Sequence, residues 1–229
     1  MEENENKQEQ SVNTEELKNE TVDTVNQVKE TMKNVNVKEE AKAAKGFVVE
    51  MFKNPLEKIK EIANDTTNQY LKTAIVLLIV WILTILISVL EFSIFDYFSW
   101  NYLGKLLLSY VKAVLAPVFL VAVMSVIIFL MNKKSKKSLT TVMTTVVATK
   151  IPVIFANIIG LLTLISSSAV KITSKVSSLA SLISTVLMYF AIRELYGEED
   201  ETQALKNFVI IEAIYLVAAL VISYLGIYI

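Results

Sequence analysis

The chain has 229 residues, with 22 basic and 23 acidic side chains giving a formal net charge of −1, and it contains neither His nor Cys. That composition excludes disulfides, Cys/His zinc sites, haem ligation by His and His-based acid–base catalysis, and with them most enzyme classes. A hydrophobic fraction of 54% and a mean hydropathy of +0.51 coexist with 20% charged residues, so the two populations must be segregated along the chain.

The charge is concentrated at the amino-terminal end. Of the 23 acidic residues, 15 fall between Glu2 and Asp65, while from Lys72 onward long apolar runs alternate with short polar ones. The first 30 residues hold no apolar core of a secretory signal, so membrane insertion is expected to come from internal segments. Residues 1–45 contain no aromatic residue, Gly or Pro and are dominated by Glu, Lys, Asn, Gln, Thr and Val. Such a segment is too polar to bury a core, which predicts a cytoplasmic tail that is disordered or marginally helical. Val25, Val28, Met32 and Val35 would line one short helical stripe, enough to form on a partner or a lipid surface.

Residues 46–66 read differently. Asn54 supplies a helix N-cap, Pro55 the first helical position and Glu57 a capping-box glutamate, so a helix is predicted to start at Pro55. Leu56, Ile59 and Ile62 fall on one face, with Lys58, Lys60 and Glu61 towards the polar side, and Phe47, Val48, Met51 and Phe52 extend the apolar surface upstream. This is the pattern of an amphipathic helix, lying in the plane of the cytoplasmic interface or packed under a membrane bundle.

Residues 71–229 are predicted to form an all-α integral membrane domain of five transmembrane helices, at about 71–90, 106–131, 141–166, 176–192 and 207–229. The first span carries no charge after Lys72. The second holds Lys112 near one end and Pro117 inside, the third holds Lys150 and Pro152, and each proline is expected to kink its helix. With the amino terminus inside, Lys53, Lys58, Lys60 and Lys72, the cluster Lys133, Lys134, Lys136 and Lys137, and Arg193 and Lys206 are all cytoplasmic, against Lys105, Lys171 and Lys175 outside. The same orientation puts the carboxyl terminus outside, and Phe92, Phe95, Tyr97, Phe98, Trp100 and Tyr102 in an outer aromatic belt. The lysine cluster is a topology determinant that can also hold anionic lipid headgroups. Ser177, Ser181 and Thr185 form a small-residue face suited to close helix packing. The acidic run Glu198 to Glu201 lacks the ligand spacing of a calcium loop and reads as structural.

The order of these features resembles a family. Phe52-Lys-Asn-Pro-Leu-Glu-Lys-Ile59 precedes the first span, Ala148-Thr-Lys-Ile-Pro-Val-Ile-Phe155 lies in the third, and Ala191-Ile-Arg-Glu-Leu-Tyr-Gly197 ends the fourth. A polar link with Gln203-Ala204-Leu205 then leads to the last. This resembles the bacterial branch of the Yip1 family, five-span membrane proteins with a cytoplasmic amino terminus and a proline in the third span, over about residues 50–229. The resemblance implies a multi-pass protein of a bacterial cytoplasmic membrane. Eukaryotic relatives are partners of Rab-type GTPases, but the Asp-Leu-Tyr-Gly-Pro motif they carry before the first span is missing here, so that partnership is not carried over.

Function is then expected to be non-catalytic: organisation of membrane or partner proteins through the tail and the interfacial helix. No cofactor, metal or nucleic acid is implied; the partners are the lipid bilayer and a membrane or cytoplasmic protein whose identity, like the oligomeric state, the sequence leaves open. The alternative is a small transporter or permease subunit with a polar path near Lys150, Asn157 and Glu212, the ionisable and amide groups at mid-depth. Lys150 and Glu212 match in depth if their helices are neighbours, which suggests an intramembrane ion pair.

Overall fold

The computed structural model describes residues 2–33, 36–94, 100–132, 137–164, 166, 169–197 and 200–224. Every regular element within them is helical: α1 (Glu2–Lys33), α2 (Val37–Lys53), α3 (Pro55–Ala63), α4 (Leu71–Ile94), α5 (Trp100–Met131), α6 (Leu139–Thr149), α7 (Ile151–Gly160, then a 3₁₀ turn at Leu161–Leu164), α8 (Val170–Tyr196) and α9 (Glu201–Tyr224).

Among the described residues, three helices are long and apolar enough to cross a membrane, in α4 (Leu71–Ser88), α5 (Tyr110–Met131) and α8 (Val170–Tyr196). A fourth crossing is made if α6 and α7, bent by 43° at Lys150, count as one. Pro152 accounts for the break, since it has no N–H to give the carbonyl four residues back and its ring clashes with the preceding turn. It sits in the first turn of α7, where a proline costs nothing. Pro117 behaves otherwise: α5 continues through it unbroken.

Contacts distant in sequence gather the start of α4, the end of α5, the start of α6, the end of α8 and the start of α9 at one end of the bundle. Asn132, just past α5, donates to the Leu195 carbonyl of α8 at 3.0 Å, and the Tyr196 hydroxyl donates to the Ile128 carbonyl of α5 at 3.2 Å. Lys137 donates to Asn64 Oδ1, after α3, at 2.9 Å, and Arg193 of α8 faces Glu201 of α9 at 3.9 Å. Gly197 turns the chain between α8 and α9 with φ of 61°, a left-handed conformation that only glycine adopts without strain.

The amino-terminal segment differs from its expectation. Residues 2–33 form a single helix, and from Glu20 onward its polar side rests on the bundle. Composition misjudged it because α1 docks by hydrogen bonds instead of by a buried apolar face. The stripe singled out in the sequence points away: Val25 and Met32 are exposed, Val28 is half-buried, and Val35 lies outside the described residues.

Asn54 is the single residue between α2 and α3. Its N–H closes α2 on the Glu50 carbonyl and its own carbonyl accepts from Lys58, but its side chain makes no cap bond, so the predicted capping box is not formed. Of the two placements open for the amphipathic helix, the structure shows packing under the bundle. Ile59 and Ile62 are fully buried in one core cluster with Met124 and Ile128 of α5, Val142 and Val146 of α6, and Met188 and Ile192 of α8. Each such side chain contributes about 1.5–3 kcal/mol relative to exposure. Leu56 and Pro55 fall outside that face, Leu56 exposed and Pro55 half-buried.

The small-residue face of α8 is a further correction. Ser177, Ser181 and Thr185 are exposed; the packing face is the neighbouring one, with Ala180, Ser184, Leu187, Met188 and Ala191 buried. A four-residue repeat of small side chains marks a face, and only the partner helix decides which face is used.

Candidate functional site

Two polar nodes join α1–α3 to the bundle. The first is centred on Lys58. Sequence periodicity assigned it to the solvated side of α3, yet it is buried, because α2 folds back at Asn54 and closes over it. Its ammonium lies 2.9 Å from Glu50 Oε2 of α2 and 2.8 Å from Glu61 Oε2 of α3, and donates to the Tyr70 hydroxyl at 3.3 Å. It also sits 5.4 Å from the Phe47 ring centroid and 4.7 Å from that of Tyr70, within cation–π range. Tyr70 donates in turn to Glu61 Oε1. Two carboxylates and two aromatic rings therefore surround one cation, and the buried charge is compensated.

The titration of this node follows from its geometry. Burial alone would lower the Lys58 pKa, but the hydrogen bonds to Glu61, Glu50 and Tyr70 outweigh it and hold the lysine above its ordinary range. The hydrogen bond from Lys58, followed by that from Tyr70, holds Glu61 below the usual carboxylate value. Burial and the bond to Glu61 push the Tyr70 phenol up.

The second node joins α1, the α3–α4 loop and the start of α6. Thr140 donates to Gln27 Oε1 at 3.0 Å, Asn68 donates to the same oxygen at 3.2 Å, and the hydroxyls of Thr24 and Thr140 lie 3.1 Å apart. Glu20 Oε2 accepts the Leu139 N–H at 3.2 Å, placing a carboxylate on the first turn of α6, where unpaired N–H groups favour negative charge. Ser138 caps the same helix by accepting from the Thr141 N–H, and the Thr141 hydroxyl donates to the Asp65 carbonyl at 3.0 Å. Asp65 Oδ1 accepts from the Thr67 N–H at 2.8 Å, and Asn68 adopts a positive φ of 57° that its side-chain type tolerates. Thr24, Gln27, Asp65, Asn68, Tyr70 and Thr140 were not singled out in the sequence. The one available signal was the recurrence of threonine at 140, 141, 144, 145 and 149, a polar start to an otherwise apolar span.

Lys150 is the hinge between α6 and α7, and Glu212 lies on α9. No contact ion pair joins them among the described residues. Asn157 is half-buried on α7. Of the lysine cluster, Lys137 bonds Asn64, while Lys133, Lys134 and Lys136 lie outside the described residues, as do Glu198 and Glu199 and, of the aromatic belt, Phe95, Tyr97 and Phe98. Asp200 accepts from the Thr202 N–H at 2.8 Å at the start of α9, so the described part of the acidic run does structural duty.

Long apolar helices running back and forth between two faces, with a polar helical layer on one of them, define a multi-pass membrane protein. The Yip1 domain matches residues 49–227, and the chain belongs to that family, whose members are generally non-catalytic membrane proteins. The match begins inside α2 and so leaves α1 outside it. No curated protein and no solved structure matches the chain.

Proposed function

We propose that this Yip1-domain protein is a non-catalytic organiser of a bacterial cytoplasmic membrane, presenting α1 on its cytoplasmic face to a partner protein. The observation that supports this reading is the way α1 is held. Glu20, Thr24 and Gln27 fasten its polar side to the bundle, which leaves Val22, Val25 and Met32 outward on a fixed platform. In this reading α9, about 36 Å long at 1.5 Å per residue, is the fifth span, and the lysine-rich loops keep α1–α3 inside. Photo-crosslinking in intact cells tests it. A crosslinker at Val25 is expected to capture a discrete protein partner and one at Thr24 none. Adducts confined to lipid, or equal capture from both positions, would contradict it.

The second reading, a small transporter or permease subunit, is supported by the position of two ionisable residues within apolar helices, Lys150 at the break between α6 and α7 and Glu212 on α9. It requires solute flux in proteoliposomes that Lys150→Met abolishes.

A further inference from the structure

The elbow between α2 and α3 is apolar on two sides. Its inner side, with Met51, Ile59 and Ile62, belongs to the core cluster. Its outer side presents Val49, Phe52 and Leu56, which are 44%, 52% and 48% exposed. Large apolar side chains exposed on an otherwise charged element mark a contact surface. The Phe52 ring packs edge-on against Phe155 of α7, with centroids 5.6 Å apart. Phe155 is itself exposed, and it opens a stripe with Ile158 and Leu162, three and seven positions on, along the outside of the broken span. Val49, Phe52 and Leu56 therefore continue a surface that already faces lipid.

We propose that the α2–Asn54–α3 elbow is a wedge seated in the bilayer leaflet on the side of α1–α3, touching acyl chains through Val49, Phe52 and Leu56. The inference rests on the reading of the chain as a membrane organiser and identifies the lipid-contacting surface of its cytoplasmic layer. It differs from the lipid-facing placement read from helical periodicity, in which Ile59 and Ile62 would meet lipid together with Leu56 and Phe52. The charges of the elbow suit the site. Glu50 and Glu61 compensate Lys58, while exposed Lys53 and Lys60 have stems long enough to reach headgroups, with Glu57 within one helical turn of Lys60. An amphipathic element at the boundary of headgroups and acyl chains is buried by about 5–10 Å, a depth these side chains can span.

The native chain lacks Cys, so single nitroxide labels can be placed at Val49, Phe52 and Leu56, at Ile158 as a lipid-facing reference and at Asn36 as a water-facing one. The full-length protein is reconstituted in vesicles of phosphatidylethanolamine and phosphatidylglycerol. Relaxation by oxygen, which partitions into acyl chains, is compared with relaxation by a water-soluble nickel chelate. The expected result is an oxygen-to-nickel ratio at the three elbow positions severalfold above that at Asn36 and close to that at Ile158. Ready access to nickel at the elbow, with Ile158 still oxygen-rich, would overturn the wedge and leave the membrane reading intact. Exclusion of both reagents with spin–spin broadening would overturn it in favour of a second copy of the chain. Loss of oxygen preference at Ile158 would instead show that the underlying membrane reading is at fault. Leu56→Cys and Val49→Cys carry the test if Phe52→Cys folds poorly.

Discussion

The hydroxyls of Thr24 and Thr140 lie 3.1 Å apart, both side chains buried, and join positions separated by 116 residues. Thr140 also donates to Gln27, so one threonine of α6 holds two successive turns of α1. Thr24→Val is expected to cost about 1 kcal/mol locally. Protease nicking within residues 20–33 should rise, while the melting temperature of the bundle stays unchanged. Combining it with Thr140→Val should cost less than the sum of the singles, since the two share a bond. Strict additivity would show that the contact carries no coupling.

Lys58 gives an asymmetric expectation. Its removal in Lys58→Met frees two carboxylates that are already partly solvated, whereas Glu50→Gln with Glu61→Gln leaves a buried cation compensated by aromatic rings alone. The double glutamine variant should therefore be the less stable, by about 1–3 kcal/mol, the scale of a hydrogen bond to a charged group. Denaturant unfolding of the detergent-solubilised protein measures it. A greater loss in Lys58→Met would reverse the account of the node.

The same node sets a pH dependence. Glu61 has a lowered folded-state pKa, so its contribution is present above the ordinary carboxylate value and is lost as pH falls through the lowered one. Lys58 has a raised pKa; its contribution is fully present below the ordinary lysine value and is lost as pH rises through the raised one. Melting temperature should thus fall on acidification below about pH 4, where carboxylates begin to protonate. Glu61→Gln should flatten that acid limb and also weaken the alkaline one, because the bond to Glu61 helps to hold the Lys58 pKa up. An unchanged acid limb in the variant would assign the loss to other carboxylates.

For the proposed Lys150–Glu212 pair, charge exchange is the test. Lys150→Glu alone should reduce folded protein in the membrane, and adding Glu212→Lys should restore part of it, because the exchange returns one charge of each sign to the apolar helices. A double variant as depleted as the two singles together would make the residues independent.

What could be read in advance was what hydropathy and local chemistry encode. The apolar runs beginning at Leu71 and ending at Met131 lie in α4 and α5, the break at Pro152 is a property of one residue, and the Yip1 grammar from Phe52 to Leu205 matched its family. What could not be read depends on the partner surface. Thr24, Gln27 and Glu20 look like any solvated tail until Thr140 and the Leu139 N–H are placed beside them. Lys58 looks solvated on an isolated helix, and only the reversal at Asn54 brings Glu50 and Phe47 over it. Ser177, Ser181 and Thr185 show the converse error, a pattern correctly seen and assigned to packing although it faces outward.

The central claim, a multi-pass chain with α1–α3 on the cytoplasmic side and five crossings, is tested most directly by single cysteines at Ser99, Ser135, Ser168 and Thr202, probed in intact cells with a membrane-impermeant thiol reagent. The account predicts labelling at Ser99 and Ser168, and at Ser135 and Thr202 only after the membrane is opened. Labelling of Ser135 in intact cells would contradict it.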